Sequence, residues 1–290
     1  MTFNDNARVG GNSAKRRGGT VAAVGGGAVG LGAVVFLLIQ LFTGTDLSGI
    51  VGGGGAADSQ TGGERIANCE TGQDANTNDD CRLAAASLNL DQFWGKTVEG
   101  YSKPQLIIVD GATSTQCGTA SNATGPFYCP PEETVYIDPT FFALLREQFD
   151  TNAGPLAQLY VLAHEYGHHV QNLIGVMDQY PNDGTGPASN GVRTELQADC
   201  FAGAWVADAA DQVDESGTPY LQPPTTEQIT NALAAAAAVG DDHIQAESGG
   251  VVNPESWTHG SSEQRQRWFD AGRAGGVNAC DTFSVATGSL

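Results

Sequence analysis

The sequence predicts an α+β domain that is preceded by one transmembrane helix. A charge-free segment covers residues 20–42, two short runs rich in β-branched residues follow near residues 105 and 134, and helical patterns follow from residue 155 onward. Few strands followed by many helices are typical of the α+β class. At 290 residues, the chain has room for one sizeable domain with an appendage.

The charge-free segment TVAAVGGGAVGLGAVVFLLIQLF, residues 20–42, is long enough to cross a membrane, for which about 20 residues suffice. Basic residues precede it, so the positive-inside rule places the N-terminus in the cytoplasm and the rest of the chain outside. A cleaved signal peptide is the alternative, but its apolar region normally has about 7 to 15 residues. The predicted order is a cytoplasmic basic tail (1–19), a single-pass membrane anchor (20–42), a flexible Gly-rich linker (43–66) and the folded domain (67–290).

Charge is distributed unevenly along the chain. Residues 1–42 carry a net charge of +3 and residues 43–290 a net charge of −23, which together give −20. An acidic body of this kind repels DNA, RNA and anionic lipid headgroups. The sequence therefore argues against nucleic-acid binding, and the acidic surface is interpreted as solubilising.

All six cysteines lie beyond the predicted span, and their even number fits disulfides formed in an oxidising compartment. Six cysteines permit fifteen pairings. The arrangement that we favour has two short loops and one long-range pair, namely Cys69–Cys81, Cys117–Cys129 and Cys200–Cys280. A zinc site built from cysteines is the alternative, but the chain contains no C-x-x-C pair.

The predicted strands come first in the folded domain. QLIIVDG from Gln105 and TVYID from Thr134 are short β-branched runs bounded by turn residues, which is the pattern of strands. FFALLREQF, which begins at Phe141, is predicted to form a short helix. The strands therefore precede the helical part of the domain.

Longer helices are predicted after residue 154. PLAQLYVLAHEYGHHVQNLIG has a proline at its first position and ends at Gly175, as helices commonly do. A second helix is predicted over about 192–213 from the spacing of its apolar residues. Capping boxes, Thr225 with Gln228 and Ser261 with Gln264, open two more helices.

LAHEYGHHVQ, residues 162–171, holds three of the five histidines of the chain. On a helix, His164 and His168 lie one turn apart on one face, so both imidazoles can bind one ion. Glu165 can then reach a water on that ion and take its proton, as in zinc-dependent hydrolases. The alternative is a helix with an exposed or capped histidine cluster.

His169 points about 100° away from this face, and we expect a supporting or surface role for it.

A hydrolytic zinc site needs a third protein ligand. The pattern HExxHxxGxxH would supply one, but positions 171 and 174 are Gln and Ile. On the following helix, we predict Glu195 as the third ligand and Asp199 as the acceptor of a hydrogen bond from a ligating histidine. The alternative is a solvated acidic face of the helix. However, RTELQADCFAGAW surrounds the two carboxylates with apolar and small residues, and an isolated buried carboxylate is costly. The small residues that would let this helix approach the first are Ala198, Ala202 and Gly203.

Three stretches together, HEYGHHVQ, ELQADCFAGAW and HGSSEQRQRWFDAG, resemble the bacterial family of neutral zinc metallopeptidases. The resemblance also includes TVYIDPTFF and the cysteine spacing, and it runs from about Cys69 to the C-terminus. It implies a zincin-like fold with a small sheet and an HExxH helix, a Zn²⁺ cofactor and peptide hydrolysis. It also implies His164, His168 and Glu195 as ligands and Glu165 as the base.

His259 is a candidate for a further catalytic role. It lies just before the capping box at Ser261, where a loop would carry it to the rim of the site. There it would stabilise the oxyanion of a tetrahedral intermediate, which needs a donor about 3 Å away. The alternative is a helix-entry residue bonded to the backbone. Further candidates for the same role are Tyr180, Tyr220 and His243, while Asp241-Asp242 is predicted as a turn rather than a metal site.

These observations predict a membrane-anchored zinc endopeptidase that acts on peptides or proteins outside the cytoplasm. A strand such as TVYID would pair with an extended substrate by β-augmentation. The alternative is a non-catalytic, metal-stabilised binding module of the cell envelope. An intramembrane protease fits less well, because the HEYGH helix has polar partners and the sequence contains only one long apolar segment.

Overall fold

A computed structural model of the chain describes residues 1–19, 63–148, 154–247 and 251–290. Its strands are β1 (Lys15–Gly19), β2 (Glu64–Arg65), β3 (Gln105–Thr115), β4 (Gly118–Ser121), β5 (Phe127–Cys129) and β6 (Thr134–Ile137). Its helices are α1 (Gly72–Thr77), α2 (Asp79–Thr97), α3 (Phe141–Gln148), α4 (Pro155–Leu173), α5 (Val176–Gln179), α6 (Asn190–Asp208), α7 (Thr226–Ala238), α8 (Asp241–Glu247) and α9 (Ser262–Gly275). The predicted α+β class is confirmed.

The sheet is mixed and has the strand order β2-β1-β3-β6-β5. Strands β1, β3 and β6 are parallel, whereas β2 and β5 pair antiparallel at the two ends of this order. β3 extends beyond the predicted QLIIVDG run, because its distal residues form an antiparallel hairpin with β4. β6, which we expected to pair with substrate, already pairs with β3 on one side and with β5 on the other. That expectation is therefore wrong.

Both faces of β3 are buried over residues 106–109. Leu106 and Ile108 belong to the main core, whereas Ile107 and Val109 belong to a smaller cluster on the other face. A strand that is buried on both faces is expected to be a continuous apolar run, as LIIV is. The main core fills the space between this face and the helices, where Trp94 and Trp205 are among its largest fully buried side chains.

The predicted ends of the helices agree with the structure at most positions. Pro155 is the first residue of α4, and Gly175 follows the helix with a φ of 76°, a left-handed value that favours glycine. Both predicted capping boxes are present, at the starts of α7 and α9. α6 begins at Asn190 and ends at Asp208, earlier at both ends than we expected. Its start is set by Ser189, which accepts from the Val192 backbone N–H as the N-cap.

Close approach of the helices depends on small residues. A Cβ atom at Gly167 of α4 would stand 3.0 Å from the Cα of Ala198 of α6, so these two helices are in backbone contact. Gly203 has a different role from the one predicted, because a Cβ there would overlap the carbonyl oxygen of Phe269. Gly203 therefore brings α6 close to α9 rather than to α4.

All three predicted disulfides are confirmed, with Cα–Cα distances of 5.1 Å for Cys69–Cys81, 5.8 Å for Cys117–Cys129 and 5.5 Å for Cys200–Cys280. The first attaches the segment before α1 to α2. The second attaches the β3–β4 turn to β5. The third attaches α6 to the segment after α9, and none of the described cysteines is free.

The N-terminal residues belong to the folded domain. Met1, Phe3, Ala7 and Val9 are fully or almost fully buried. Residues 15–19 form β1, which pairs along its length with the central strand β3 and also with β2. A β-bridge joins Phe3 to Leu221, and the carboxylate of Asp214 accepts from the Arg8 backbone N–H.

Residues 1–19 were predicted to form a separate cytoplasmic tail, but these contacts place them in the folded domain. A chain that crossed a membrane once between β1 and β2 would place two paired strands on opposite sides. The single-pass arrangement predicted above therefore does not agree with the structure. The strand was missed because KRRGG lacks the alternating apolar pattern of a strand, and pairing with the buried β3 determines its conformation.

No helix among the described residues is long and apolar enough to cross a membrane. The predicted anchor, residues 20–42, lies outside the described part of the chain. Most of the predicted linker, residues 43–62, lies outside it as well, and residues 64–65 of that linker form β2.

Candidate metal centre

Three side chains converge between α4 and α6. His164 and His168 come from α4 and Glu195 from α6, and one potential ligand atom of each lies within 4.8 Å of the others. The Nε2 atom of His164 lies 3.1 Å from the Nε2 atom of His168 and 3.1 Å from Oε2 of Glu195. All three residues are buried. The structure thus brings together the three residues that the sequence predicted as metal ligands.

The far nitrogen of each imidazole faces a hydrogen-bond acceptor. Nδ1 of His164 lies 2.8 Å from Oδ1 of Asp199, and Nδ1 of His168 lies 2.9 Å from Oε1 of Gln171. Carboxylate and amide oxygens only accept, so each Nδ1 carries the proton. In the neutral rings, both Nε2 lone pairs are then directed at the same point.

This arrangement fits a cation. Oε1 of Glu195 is buried, lies 3.4 Å from Nε2 of His168 and has no hydrogen-bond partner among the described residues. Two imidazole lone pairs and a carboxylate repel one another at these distances unless a positive charge lies between them. Two nitrogen ligands and one carboxylate are a set that zinc accepts at hydrolytic sites. His164, His168 and Glu195 would therefore hold the zinc ion.

The charges of these groups affect one another strongly. Burial would lower the pKa of His164, but the carboxylates of Asp199 and Glu195 outweigh burial and raise this pKa to about 10. Burial would raise the pKa of Glu195, but the nearby imidazoles hold it well below its usual range. Without a metal ion, the two carboxylates therefore favour the protonated form of His164.

Asp199 connects His164 to two further buried side chains. Its Oδ1 atom accepts from Tyr160 Oη at 2.5 Å and from Arg265 Nη2 at 3.0 Å, and its Oδ2 atom accepts from Arg265 Nε at 2.8 Å. Burial would raise the pKa of Asp199, but Arg265 and His164 lower it to about 2. Arg265 comes from α9, so a third helix supports the site. The sequence analysis missed Arg265 and Tyr160.

Glu165, the predicted base, is buried beside the metal ligands. Burial raises its pKa, while the imidazoles of His168 and His164 oppose this shift. The nearby backbone N–H of Tyr128 in β5 also lowers this pKa. Strand β5 therefore lies near the proposed base.

His259 is buried near the same centre. The carboxylate of Asp241 accepts from its backbone N–H at 2.6 Å and lies 3.3 Å from its Nδ1, while the hydroxyl of Thr258 lies 2.8 Å from the same nitrogen. Burial would lower the pKa of His259, but Asp241 and Glu195 raise it. The structure therefore gives His259 the buried partner Asp241, which the sequence analysis did not assign.

Asp241 and Asp242 differ from the predicted turn. They begin α8, and Asp241 also accepts from the backbone N–H groups of Thr258 and Gly260. Asp242 accepts from the backbone and hydroxyl of Ser262. The two carboxylates fix the segment that carries His259.

The other candidates lie in different surroundings. Tyr180 stacks on Phe283 at 3.9 Å, and the backbone carbonyl of Tyr220 accepts a hydrogen bond from the Asn4 N–H of the N-terminal segment. His243 lies on α8. None of the three belongs to the group of converging ligands among the described residues.

His169 has a buried supporting role. It is fully buried, its Nδ1 lies 3.0 Å from Tyr128 Oη, and its Nε2 lies 2.7 Å from the Ser102 carbonyl oxygen. His169 therefore attaches α4 to β5 and is not at the surface. This contact helps to hold the strand edge beside Glu165.

Comparison with known proteins gives a family and several relatives. Residues 3–283 match the family described as "Putative neutral zinc metallopeptidase". The chain is 50% identical to the uncharacterized protein Rv2575 of Mycobacterium tuberculosis over 223 residues, which cover 76% of each chain. It is 36% identical to the uncharacterized protein YpfJ of Escherichia coli K12 over 271 residues, 89% of this chain and 87% of the relative. No solved structure matches the chain.

Proposed function

We propose that this chain, which belongs to the family of "Putative neutral zinc metallopeptidase" proteins, is a zinc endopeptidase that acts outside the cytoplasm. One observation carries the proposal. Lone pairs of His164, His168 and Glu195 converge in a buried centre, and Glu165 lies beside them. Peptides or proteins are the proposed substrates.

A bound zinc ion would supply Lewis acidity, which makes water a better nucleophile at neutral pH and stabilises negative charge on a carbonyl oxygen. Glu165 accepts the proton of the attacking water and passes it to the leaving amine. Its raised pKa suits both steps, because a general base works best when its pKa is near the working pH.

His259 is proposed to stabilise the negative charge that develops on the substrate. Its pKa is raised, so a larger fraction of the imidazole is protonated near neutral pH. Asp241 fixes the orientation of the ring and balances its charge. A positively charged donor of this kind favours the oxyanion over the neutral carbonyl.

Substrate binding is proposed at β5 rather than at β6. Within the described sheet, β5 ends the strand order and pairs on one side with β6. No described strand pairs with its other edge, and Tyr128 of this strand lies near Glu165. An extended peptide that pairs with this edge would place a carbonyl group close to the base.

Three disulfides support an oxidising, extracytoplasmic compartment. Membrane association through residues 20–42 stays a prediction from the sequence. Any such association must leave β1 and β2 on the same side of the membrane, because these strands are paired.

The proposal is tested with purified protein and an unbiased peptide library. We expect cleavage that a chelator abolishes and that added zinc restores. Glu165→Gln is expected to abolish cleavage, because the base is lost, while zinc stays bound by the three ligands. The measurements are cleavage products by mass spectrometry and bound zinc by metal analysis.

Near-normal turnover in Glu165→Gln would rule out this residue as the base. Bound zinc in the wild type without cleavage of any peptide would favour the alternative, a metal-stabilised binding module. The matched control is Glu263→Gln at the start of α9, which has the same charge change away from the ligands and should cleave normally.

A further inference from the structure

We propose that Gln171 and Gln197 are positioning residues for the metal ligand His168. Two buried amides connect Nδ1 of His168 to the backbone carbonyl of Cys280, and a disulfide holds that carbonyl against α6. This inference rests on the metal site of the proposed function. It concerns how one ligand is oriented and not whether the enzyme cleaves peptides.

The connection consists of consecutive hydrogen bonds. Oε1 of Gln171 lies 2.9 Å from Nδ1 of His168. Nε2 of Gln171 donates to the carbonyl oxygen of Thr194 at 2.7 Å and to Oε1 of Gln197 at 3.0 Å. Nε2 of Gln197 donates to the carbonyl oxygen of Cys280 at 2.9 Å. We call this series the amide relay.

The direction of each hydrogen bond in the relay is fixed by its neighbours. The carbonyl oxygen of Cys280 only accepts, so the amide nitrogen of Gln197 must face it and the amide oxygen must face Gln171. The carbonyl of Thr194 and this amide oxygen together require the amide nitrogen of Gln171 on their side. The oxygen of Gln171 is therefore left to face His168.

This direction determines the tautomer of the ligand. An amide oxygen cannot donate, so Nδ1 of His168 carries the proton and Nε2 keeps the lone pair that a metal needs. A reversed Gln171 amide would present a donor to Nδ1 and favour the opposite tautomer. The relay excludes this reversal, because two acceptors would then face the amide oxygen of Gln171.

The relay also joins the two helices that carry the ligands. Gln171 follows His168 by three residues on α4, and Gln197 follows Glu195 by two residues on α6. Gln171 is fully buried and Gln197 is 7% exposed, so water cannot easily replace the lost partners. Breaking the relay should therefore disturb the position of His168.

The far end of the relay is covalently held. Cys280 follows α9 and forms a disulfide with Cys200 of α6, three residues after Gln197. The disulfide keeps the Cys280 carbonyl beside α6, where Gln197 can reach it. The C-terminal segment thereby contributes to the orientation of a metal ligand without touching the metal position.

The test measures zinc affinity by competition with a chelator and records the visible spectrum of the cobalt-substituted protein. Gln171→Leu is expected to weaken zinc binding about 10-fold, at the lower end of effects on residues behind a ligand. Gln197→Leu should weaken it about threefold, because Gln197 acts on His168 only through Gln171. Both variants should shift the cobalt spectrum.

The double variant separates a relay from two independent effects. Once Gln171 is replaced, Gln197→Leu should weaken zinc binding no further. The matched control is Gln158→Leu, which removes another buried glutamine of α4 whose oxygen accepts from Arg82. It should leave both zinc affinity and the cobalt spectrum unchanged even where it lowers stability.

Wild-type zinc affinity in Gln171→Leu, or additive losses in the double variant, would overturn the relay. If Gln171→Leu does not fold, the zinc affinity of Gln197→Leu is the test. Wild-type zinc affinity in that variant would also overturn the relay. A wild-type protein that binds no zinc would contradict both the relay and the proposed function. Relay behaviour in a protein that cleaves no peptide would support the relay and contradict the peptidase.

Discussion

Different groups hold the two histidines of the metal centre from behind. Asp199, a carboxylate, accepts from His164, and a buried arginine, Arg265, pairs with that carboxylate. Gln171, a neutral amide, faces His168 and leads to a backbone carbonyl through a second amide. One side of the centre therefore uses charge, and the other uses only hydrogen-bond direction.

The difference shows two ways to prepare a ligand. A carboxylate fixes the ring and also raises its basicity, and the pKa of His164 rises to about 10 although burial opposes this. An amide fixes the ring without adding charge, so the buried centre does not acquire another anion beside Glu195. The charged side needs Arg265, since a buried carboxylate without a positive partner is costly.

The largest loss of zinc affinity is expected from a change at Glu195, which faces both histidines. Glu195→Ala removes the ligand that faces both imidazoles, and we expect zinc affinity to fall more than about 100-fold, beyond the range of residues behind the ligands. Zinc titration against a chelator measures this loss. Glu263→Ala is the control, because Glu263 is exposed at the start of α9 and is not one of the converging ligands.

Equal zinc content in the wild type and Glu195→Ala would require a different third ligand. Asp178 and Asp183 are the carboxylates on the segment between the two ligand helices that would then be tested first. In that case, the comparison between His164 and His168 would no longer concern one metal site that includes Glu195.

An intermediate effect is expected on the charged side. Asp199→Asn keeps the shape of the side chain but removes its charge, and we expect zinc affinity to fall about 10 to 100-fold. This loss should exceed that of Gln171→Leu, because the carboxylate also raises the basicity of His164. Chelator competition under identical conditions compares the two variants, and the reverse order would contradict the distinction between them.

A further effect is expected in the pH dependence of the metal-free protein, where stability rather than zinc affinity is measured. The pKa of His164 is raised to about 10 from 6.5, so its contribution to stability is complete below about pH 6.5 and is lost as pH rises through 10. We expect the free energy of unfolding to fall by on the order of 2 kcal/mol between about pH 6.5 and 9. Asp199→Asn should show a smaller fall, measured by denaturant titration with a chelator present. An identical pH dependence in both proteins would show that Asp199 does not control this titration.

The spacing of residues in the sequence predicted the parts of the centre that depend on local geometry. His164 and His168 share a helix face at any i, i+4 spacing, and Glu195 lies on a helix whose small residues indicated close packing. The β-branched runs of β3 and β6 and the capping boxes of α7 and α9 are also local signals, and these elements formed where expected, although β3 extends further than predicted.

Residues that reach the centre from distant elements were not predictable in this way. Arg265 comes from α9, and its interaction with Asp199 depends on the packing of α9 on α6. Gln197 differs from a surface glutamine only through its contacts with Gln171 and Cys280. Neither position carries a spacing signal, because the partners are separated by many residues in the chain.

The N-terminal strand was missed for a related reason. Lys15, Arg16 and Arg17 followed by two glycines have a composition typical of a basic tail. Their strand conformation comes from pairing with β3, which follows them by some ninety residues. The basic residues before the apolar segment therefore supported a membrane orientation that the folded domain does not accommodate.

X-ray diffraction from zinc-loaded crystals, recorded on both sides of the zinc absorption edge, tests the central claim most directly. The account predicts one anomalous peak between the two ligand helices, about 2.0 to 2.2 Å from Nε2 of His164, Nε2 of His168 and a carboxylate oxygen of Glu195. Nδ1 of His164 and Nδ1 of His168 should still face Asp199 and Gln171. A zinc peak on other residues, or no peak at this centre in crystals soaked with zinc, would contradict the account.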